Sequence, residues 1–210
     1  KRSLVVEVKA ILSENSNEQI NFNSWPSDLL VSYIVKRHHR YVRDKSPVIM
    51  DYLDKICNVH GKRHTELFQI KAIFEACVLE LTHHMGKEEQ ILFPVIEKMD
   101  ELKGAEVTHI QSEFGSVQNP IKMMIHEHQV EGDRFHEIAE LTNHYTVPDD
   151  ACTTYQVTFD MLEEFEQDLH KHIHLENNIL FPKLVKLEEQ FLETSSRVNT
   201  NSPADSLSGS

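Results

Sequence analysis

The sequence predicts an all-α protein, an antiparallel four-helix bundle assembled from two copies of a helix pair. Three observations lead there. Glycine is scarce, 6 of 210 residues, while Leu, Glu, Lys and Ile are plentiful, and that balance favours helix over sheet. Four segments place apolar residues at helical spacing between start and stop signals, which argues for antiparallel neighbours. The third observation is a repeat: the segment from His84 to Pro94 returns as His172 to Pro182, each reading His-x-x-x-Glu and then Ile-Leu-Phe-Pro.

The elements follow in order. Residues 1–24 open with the apolar Leu4-Val5-Val6 and end in a polar run, and are expected to be the remnant of a preceding segment followed by a linker. The first residue is Lys rather than Met, which points to a longer parent sequence. Trp25-Pro26-Ser27-Asp28 starts the first helix, with proline in the first turn and an acid near the positive end. Leu29, Leu30, Tyr33, Ile34 and the His38-His39 pair follow at helical spacing; Pro47 is expected to kink or restart the helix, and Gly61 to stop it. Thr65-Glu66 begins the second helix, whose inner face carries Leu67, Ile70, Phe74, Cys77, Leu81 and His84. Residues 100–118 are a polar connection. The third helix spans about Pro120 to His144, and the fourth runs from about Asp150 past His172 to about Leu192. Residues 25–192 thus form the bundle, and 193–210, rich in Ser and Asn, are expected to be a disordered tail. Pro94 and Pro182 stand at matching places in the repeat and predict a shared kink.

Composition removes several function classes. The formal charge is −13 and no basic stripe is visible, so a nucleic-acid partner is not expected. No stretch of 18 apolar residues exists, so neither is a membrane partner. Three cysteines without a C-x-x-C pair suit a reducing, cytoplasmic setting. A homodimer is left open.

The 14 histidines are the anomaly, and they cluster at intervals of about 45 residues. His and Glu four residues apart on a helix lie about 40° apart around the axis, so both side chains reach one point. Two such helices facing each other can hold two metal ions. His84 with Glu88 and His172 with Glu176 supply the paired motif, and the other two helices each supply one histidine. On the first helix that is His38 or His39, and only one of the two is expected to point inward. On the third it is His126 or His128. The pair His39 and His128 is 89 residues apart, close to the 88 between His84 and His172. Four imidazoles and two carboxylates without thiolate suit iron, manganese or zinc.

The chain resembles the iron–sulfur cluster repair di-iron proteins (the RIC family), which carry a hemerythrin-like domain. The likeness rests on His38-His39 with Tyr41-Val42-Arg43 and Pro47; on Val59-His60-Gly61 with His64; on the segments 84–94 and 172–182; and on Glu127-His128 with Gly132. It covers roughly residues 25–190. It implies a hemerythrin-like bundle holding two iron ions, oxo- or hydroxo-bridged, on His39, His84, Glu88, His128, His172 and Glu176. It implies a function too: restoring iron–sulfur clusters damaged by oxidative or nitrosative stress, with damaged iron–sulfur proteins as partners. Two features depart from the family pattern. Its short N-terminal domain with a cysteine motif is not matched, and its usual Glu-His-Asp reads Glu127-His128-Gln129.

Histidine ligands usually donate their second N–H to a carboxylate or carbonyl. Glu80 and Asp168, each four residues before a motif histidine, and Glu127, beside His128, are candidates for that support. His60 and His64 suit either a supporting or transient iron site or a helix-end contact with the dipole. The remaining histidines, including His83, His136, His144, His170 and His174, are expected to be solvated, and Cys77 to be buried. Two other functions compete with cluster repair: a hemerythrin-like module that binds or senses dioxygen or nitric oxide, and a di-iron reductase of nitric oxide or peroxide. Hemerythrins proper use five histidines, and this chain offers four in register, which favours repair.

Overall fold

The structure is a computed structural model that describes residues 20–102 and 116–200, with side chains through 194. Helix α1 (27–60) consists of Ser27–Tyr33, a π-helical stretch Ile34–His39, and Arg40–His60. Helix α2 (66–101) joins Glu66–Lys87 to Phe93–Glu101 through the π turn Glu88–Leu92. Helix α3 (Gln118–Leu141) is regular throughout. Helix α4 (153–200) repeats the plan of α2: Thr153–Leu175, the π turn Glu176–Leu180, then Phe181–Thr200. The helices run up, down, up, down, with α1 against α2 and α4, and α2 against α3.

The shared proline feature takes a definite form. Pro94 and Pro182 are each the second residue after a π turn. A proline inside an α-helix lacks the N–H for the carbonyl four residues back and clashes with it. The turn ahead of each is widened, so that Phe93 and Phe181 donate their N–H to the carbonyls of Glu88 and Glu176, five residues back. Pro47, by contrast, lies inside the unbroken segment Arg40–His60, where the expected restart does not occur.

The buried apolar residues divide into two clusters. One gathers Tyr41, Ile49, Leu53, Phe74, Leu81, Phe135 and Phe165; the other gathers Leu30, Ile34, Leu92, Phe93, Ile121, Leu180 and Phe181. On every helix His39, His84, His128 or His172 falls between residues of the two clusters. The polar residues therefore form a layer across the bundle with an apolar core on either side.

Several expectations about the ends need adjustment. Residues 20–24 include a tight turn, Phe22–Ser24, whose Phe22 packs on Trp25 and Tyr33 with ring centroids 4.9 and 5.2 Å away. Helix α4 extends to Thr200, eight residues beyond the expected end at 192. The expectations for 1–19 and 201–210 lie outside the described residues. Gly61 ends α1 as anticipated, but not through a left-handed conformation, since its φ is −59°. A Cβ there would sit 2.3 Å from the Cys57 carbonyl oxygen and 2.6 Å from the Phe68 ring. Glycine is required for close approach.

Two glycine substitutions test this packing. Gly61→Ala is expected to destabilise the fold by about 1–3 kcal/mol through overpacking. Gly132→Ala, mid-helix with nothing within 4 Å of the new Cβ, is expected to stabilise it by about 0.5–1 kcal/mol. Denaturant unfolding of the two variants measures both signs.

Candidate metal centre

The layer is built from six side chains that the helices bring to one place. His39 closes the π stretch of α1, Glu88 opens the π turn of α2, and Glu176 opens that of α4. His84 and His172 lie one α-helical turn before the two glutamates, and His128 comes from regular α3. Both glutamates are 0% exposed and the four histidines 3% or less.

The nitrogen and oxygen atoms fall into two four-donor groups. His39, Glu88, His172 and Glu176 form one; His84, Glu88, His128 and Glu176 form the other. Within each group the donor atoms lie within 4.8 Å of one another. Both carboxylates belong to both groups. The histidine nitrogens approach the carboxylates at 3.3 Å (His39 to Glu88), 3.1 Å (His84 to Glu88), 3.1 Å (His128 to Glu176) and 3.2 Å (His172 to Glu176), and Nε2 of His84 and of His128 lie 3.0 Å apart. The internal repeat exchanges His39 with His128, His84 with His172 and Glu88 with Glu176, so it exchanges the two groups.

Residues outside the layer fix the rings. His39 Nδ1 donates to Glu89 at 2.6 Å, and Arg43 grips the same oxygen at 2.7 Å. His84 Nδ1 donates to Glu127 at 2.8 Å, with Lys87 on the other carboxylate oxygen. His128 Nδ1 donates to the Asn177 side-chain oxygen at 2.8 Å. Once Nδ1 carries the proton, Nε2 offers its lone pair to the centre. Phe93 stacks on His39 and Phe181 on His128, at 5.8 and 6.1 Å, which limits ring rotation.

The electrostatics answer to the same contacts. Burial works against the charged form of His84, but Glu88, Glu176 and Glu127 together outweigh it and lift the imidazole to about 9. His39 is raised in the same way, burial opposing and Glu88, Glu89 and Glu176 together prevailing. Glu176 is fully buried, which alone would raise it, yet His172 and His128 hold it well below the usual carboxylate range.

A metal fits this donor set on one observation of the side chains themselves. Both oxygens of Glu88, both of Glu176, and Nε2 of His39 and of His172 are buried without a hydrogen-bond partner among the described residues. Buried polar atoms left in that state are costly. Six of them directed into one layer are what bound cations would satisfy.

Some sequence expectations are corrected here. His38 and His39 were expected to divide between inside and outside, yet both are buried, at 3% and 0% exposure. His38 Nδ1 lies 3.0 Å from Asp168, and its ring stacks on His172 at 5.8 Å. Asp168 thus supports His38 and not His172, whose Nδ1 has no hydrogen-bond partner among the described residues. Glu127 supports His84 rather than its neighbour His128. Glu80 is exposed and takes no part in the layer. His60 and His64 lie at the far end of the bundle, where His60 meets Cys152 and His64 meets Asp150 and Glu66. His126 is exposed, as are His83, His136, His144, His170 and His174, while Cys77 is fully buried. Glu89 and Asn177 were missed. They occupy the same register, one residue after each motif glutamate, and the repeat could have singled them out.

Comparison with known proteins identifies the architecture. The family model for the hemerythrin HHE cation-binding domain matches residues 30–184. The iron-sulfur cluster repair protein YtfE of Yersinia pseudotuberculosis serotype IB (strain PB1/+) is 34% identical over 184 residues, covering 86% of this chain and 77% of that protein. YtfE of Yersinia pestis (strain Pestoides F) matches with the same identity and coverage. This chain belongs to the hemerythrin-like iron–sulfur cluster repair family. The family's cation-binding domain spans all four helices and every member of the buried layer. No described helix is long and apolar enough to cross a membrane.

The sharing of Glu88 and Glu176 between the groups gives a distinctive expectation. Glu88→Ala or Glu176→Ala removes a donor from both groups and should lower bound metal per chain more than His128→Ala or His172→Ala, each of which touches one group. Elemental analysis of the four purified variants measures the difference. Equal metal content across them would contradict the shared role.

Proposed function

We propose that this chain holds two iron ions, joined by an oxo or hydroxo bridge, on His39, His84, Glu88, His128, His172 and Glu176, and supplies or exchanges iron to repair damaged iron–sulfur clusters. The observation that carries the reading is the pair of four-donor groups sharing two fully buried carboxylates. Bound iron would supply a redox-active pair of Lewis-acidic cations. The chain's own residues hold the donors in place, through Glu89, Glu127 and Asn177 on the ring nitrogens facing away. They also keep bulk water out, through the apolar clusters on either side.

Two histidines per ion leave each short of six ligands, which suits a centre that gives up iron more readily than a saturated one. The relatives named iron-sulfur cluster repair proteins support the same reading. The partners are then iron–sulfur proteins that have lost iron. Free Cys57, Cys77 and Cys152 agree with a cytoplasmic setting.

Repair can be measured directly. The reduced, iron-loaded protein is incubated with a hydro-lyase whose [4Fe–4S] cluster has lost an iron, in the presence of a ferrous chelator that blocks transfer through solution. The expected result is recovery of hydro-lyase activity well above that given by an equal amount of free ferrous iron. Recovery no greater than the free-iron control would overturn the repair reading. Reversible dioxygen binding by the same preparation would instead favour a carrier or sensor.

A further inference from the structure

The pole of the bundle opposite the Pro94 and Pro182 turns holds a second group of reactive side chains. His60, the last residue of α1, is 5% exposed. Its Nε2 lies 3.2 Å from Sγ of Cys152, the residue that caps the N-terminus of α4. Cys152 is exposed, whereas Cys57 and Cys77 are buried. Nδ1 of His60 is buried with no hydrogen-bond partner among the described residues, so the imidazole's one polar contact is the thiol. Tyr155, one turn into α4, sets its ring edge-on to His60 at 5.3 Å and to His64 at 5.6 Å, which holds His60 in position.

The charged groups around the pair come from three elements. The turn after α1 brings Arg63 and His64, the start of α2 brings Glu66, and the loop before α4 brings Asp150. Asp150 takes Arg63 and His64, each at 2.9 Å, and Glu66 takes the other nitrogen of His64 at 3.0 Å. These carboxylates are matched by Arg63 and His64. The partner left to the thiol is His60.

We propose that His60 is the base that activates the Cys152 thiol and that Cys152 is a site of covalent oxidation by hydroperoxides. A thiolate is the nucleophilic form of cysteine, and an adjacent imidazole together with a helix N-terminus stabilises it. The local contacts agree: the His60 hydrogen bond, and then the backbone N–H of Tyr155, draw the Cys152 thiol down to about 7. Burial pushes Cys57 and Cys77 the other way. In the reaction a sulfur lone pair forms an S–O bond as the peroxide O–O bond breaks. Sulfur loses two electrons and the departing oxygen takes them. That oxygen also takes the thiol proton, passed on through Nε2 of His60, leaving a sulfenic acid, water or an alcohol, and neutral imidazole.

The test uses the metal-loaded full chain. Iodoacetamide labelling is followed by peptide mass spectrometry as a function of pH, with Cys57 and Cys77 as internal references. Cys152 labelling is expected to be half-maximal near pH 7 and to fall as the pH drops below it, because protonation removes the nucleophile. In His60→Gln the midpoint should rise by about one unit, toward the ordinary thiol value of about 8.5. With hydrogen peroxide and dimedone, the adduct should appear on Cys152 and be several-fold weaker in His60→Gln carrying the same metal. A wild-type midpoint at the ordinary thiol value, an unchanged midpoint in His60→Gln, or no dimedone adduct on Cys152 would each overturn the proposal. Should His60→Gln not fold, the wild-type midpoint and the dimedone result decide on their own.

Discussion

Glu88 and Glu176 are two carboxylates buried side by side, and the rest of the bundle is arranged around that fact. Each such group carries a desolvation cost of several kcal/mol, and neighbouring like charges add to it. Apolar packing cannot relieve this; positive charge can. The donor atoms left without partners around the glutamates call for it. Glu89, Glu127 and Asn177 then fix which ring nitrogen faces inward. The chemistry of the layer and the choice of residues behind it are therefore one problem, solved in sequence from the carboxylates outward.

The backbone bears part of the load. Three of the four helices are π-helical where they pass through or leave the layer. Such turns are less favourable than α turns and persist where surrounding packing holds them. Here that packing is the pair of apolar clusters, one on each side. In α2 and α4 a widened turn also absorbs the missing N–H of Pro94 and Pro182. The same irregularity thus accommodates the proline and positions the glutamate.

Much of this was legible in the residues, because the informative signals were local and duplicated. Helical periodicity gave the four helices to within a few residues except at the end of the fourth, and His-x-x-x-Glu gave the side chains that meet. What escaped came from departures from ideal geometry or from contacts between helices. On a regular helix successive residues point about 100° apart, which is why His38 was assigned to the outside. The π stretch ending at His39 widens the turn, and both histidines are buried. Asp168 was read along its own helix as a support for His172, yet it reaches across to His38. His60 shares the motif spacing with His64, but 21 residues of helix separate it from His39, about 30 Å of rise. Spacing shows which side chains share a face and is silent on what lies across from them.

The supports behind the rings are where the two halves of the repeat have drifted apart. His39 and His84 each lean on a carboxylate, His128 on a neutral amide, and His172 has His38 stacked against it, whereas the matching residue of α3, Glu127, binds His84. An imidazole backed by an anion is a stronger electron donor than one that is not. Each pocket, His39 with His172 and His84 with His128, therefore pairs one anion-backed ring with one that is not, and the two differ in what stands behind the second ring: a stacked imidazole at His172, an amide at His128. Cations held there would meet unlike surroundings, so the two seats would be expected to fill and empty at different concentrations rather than together.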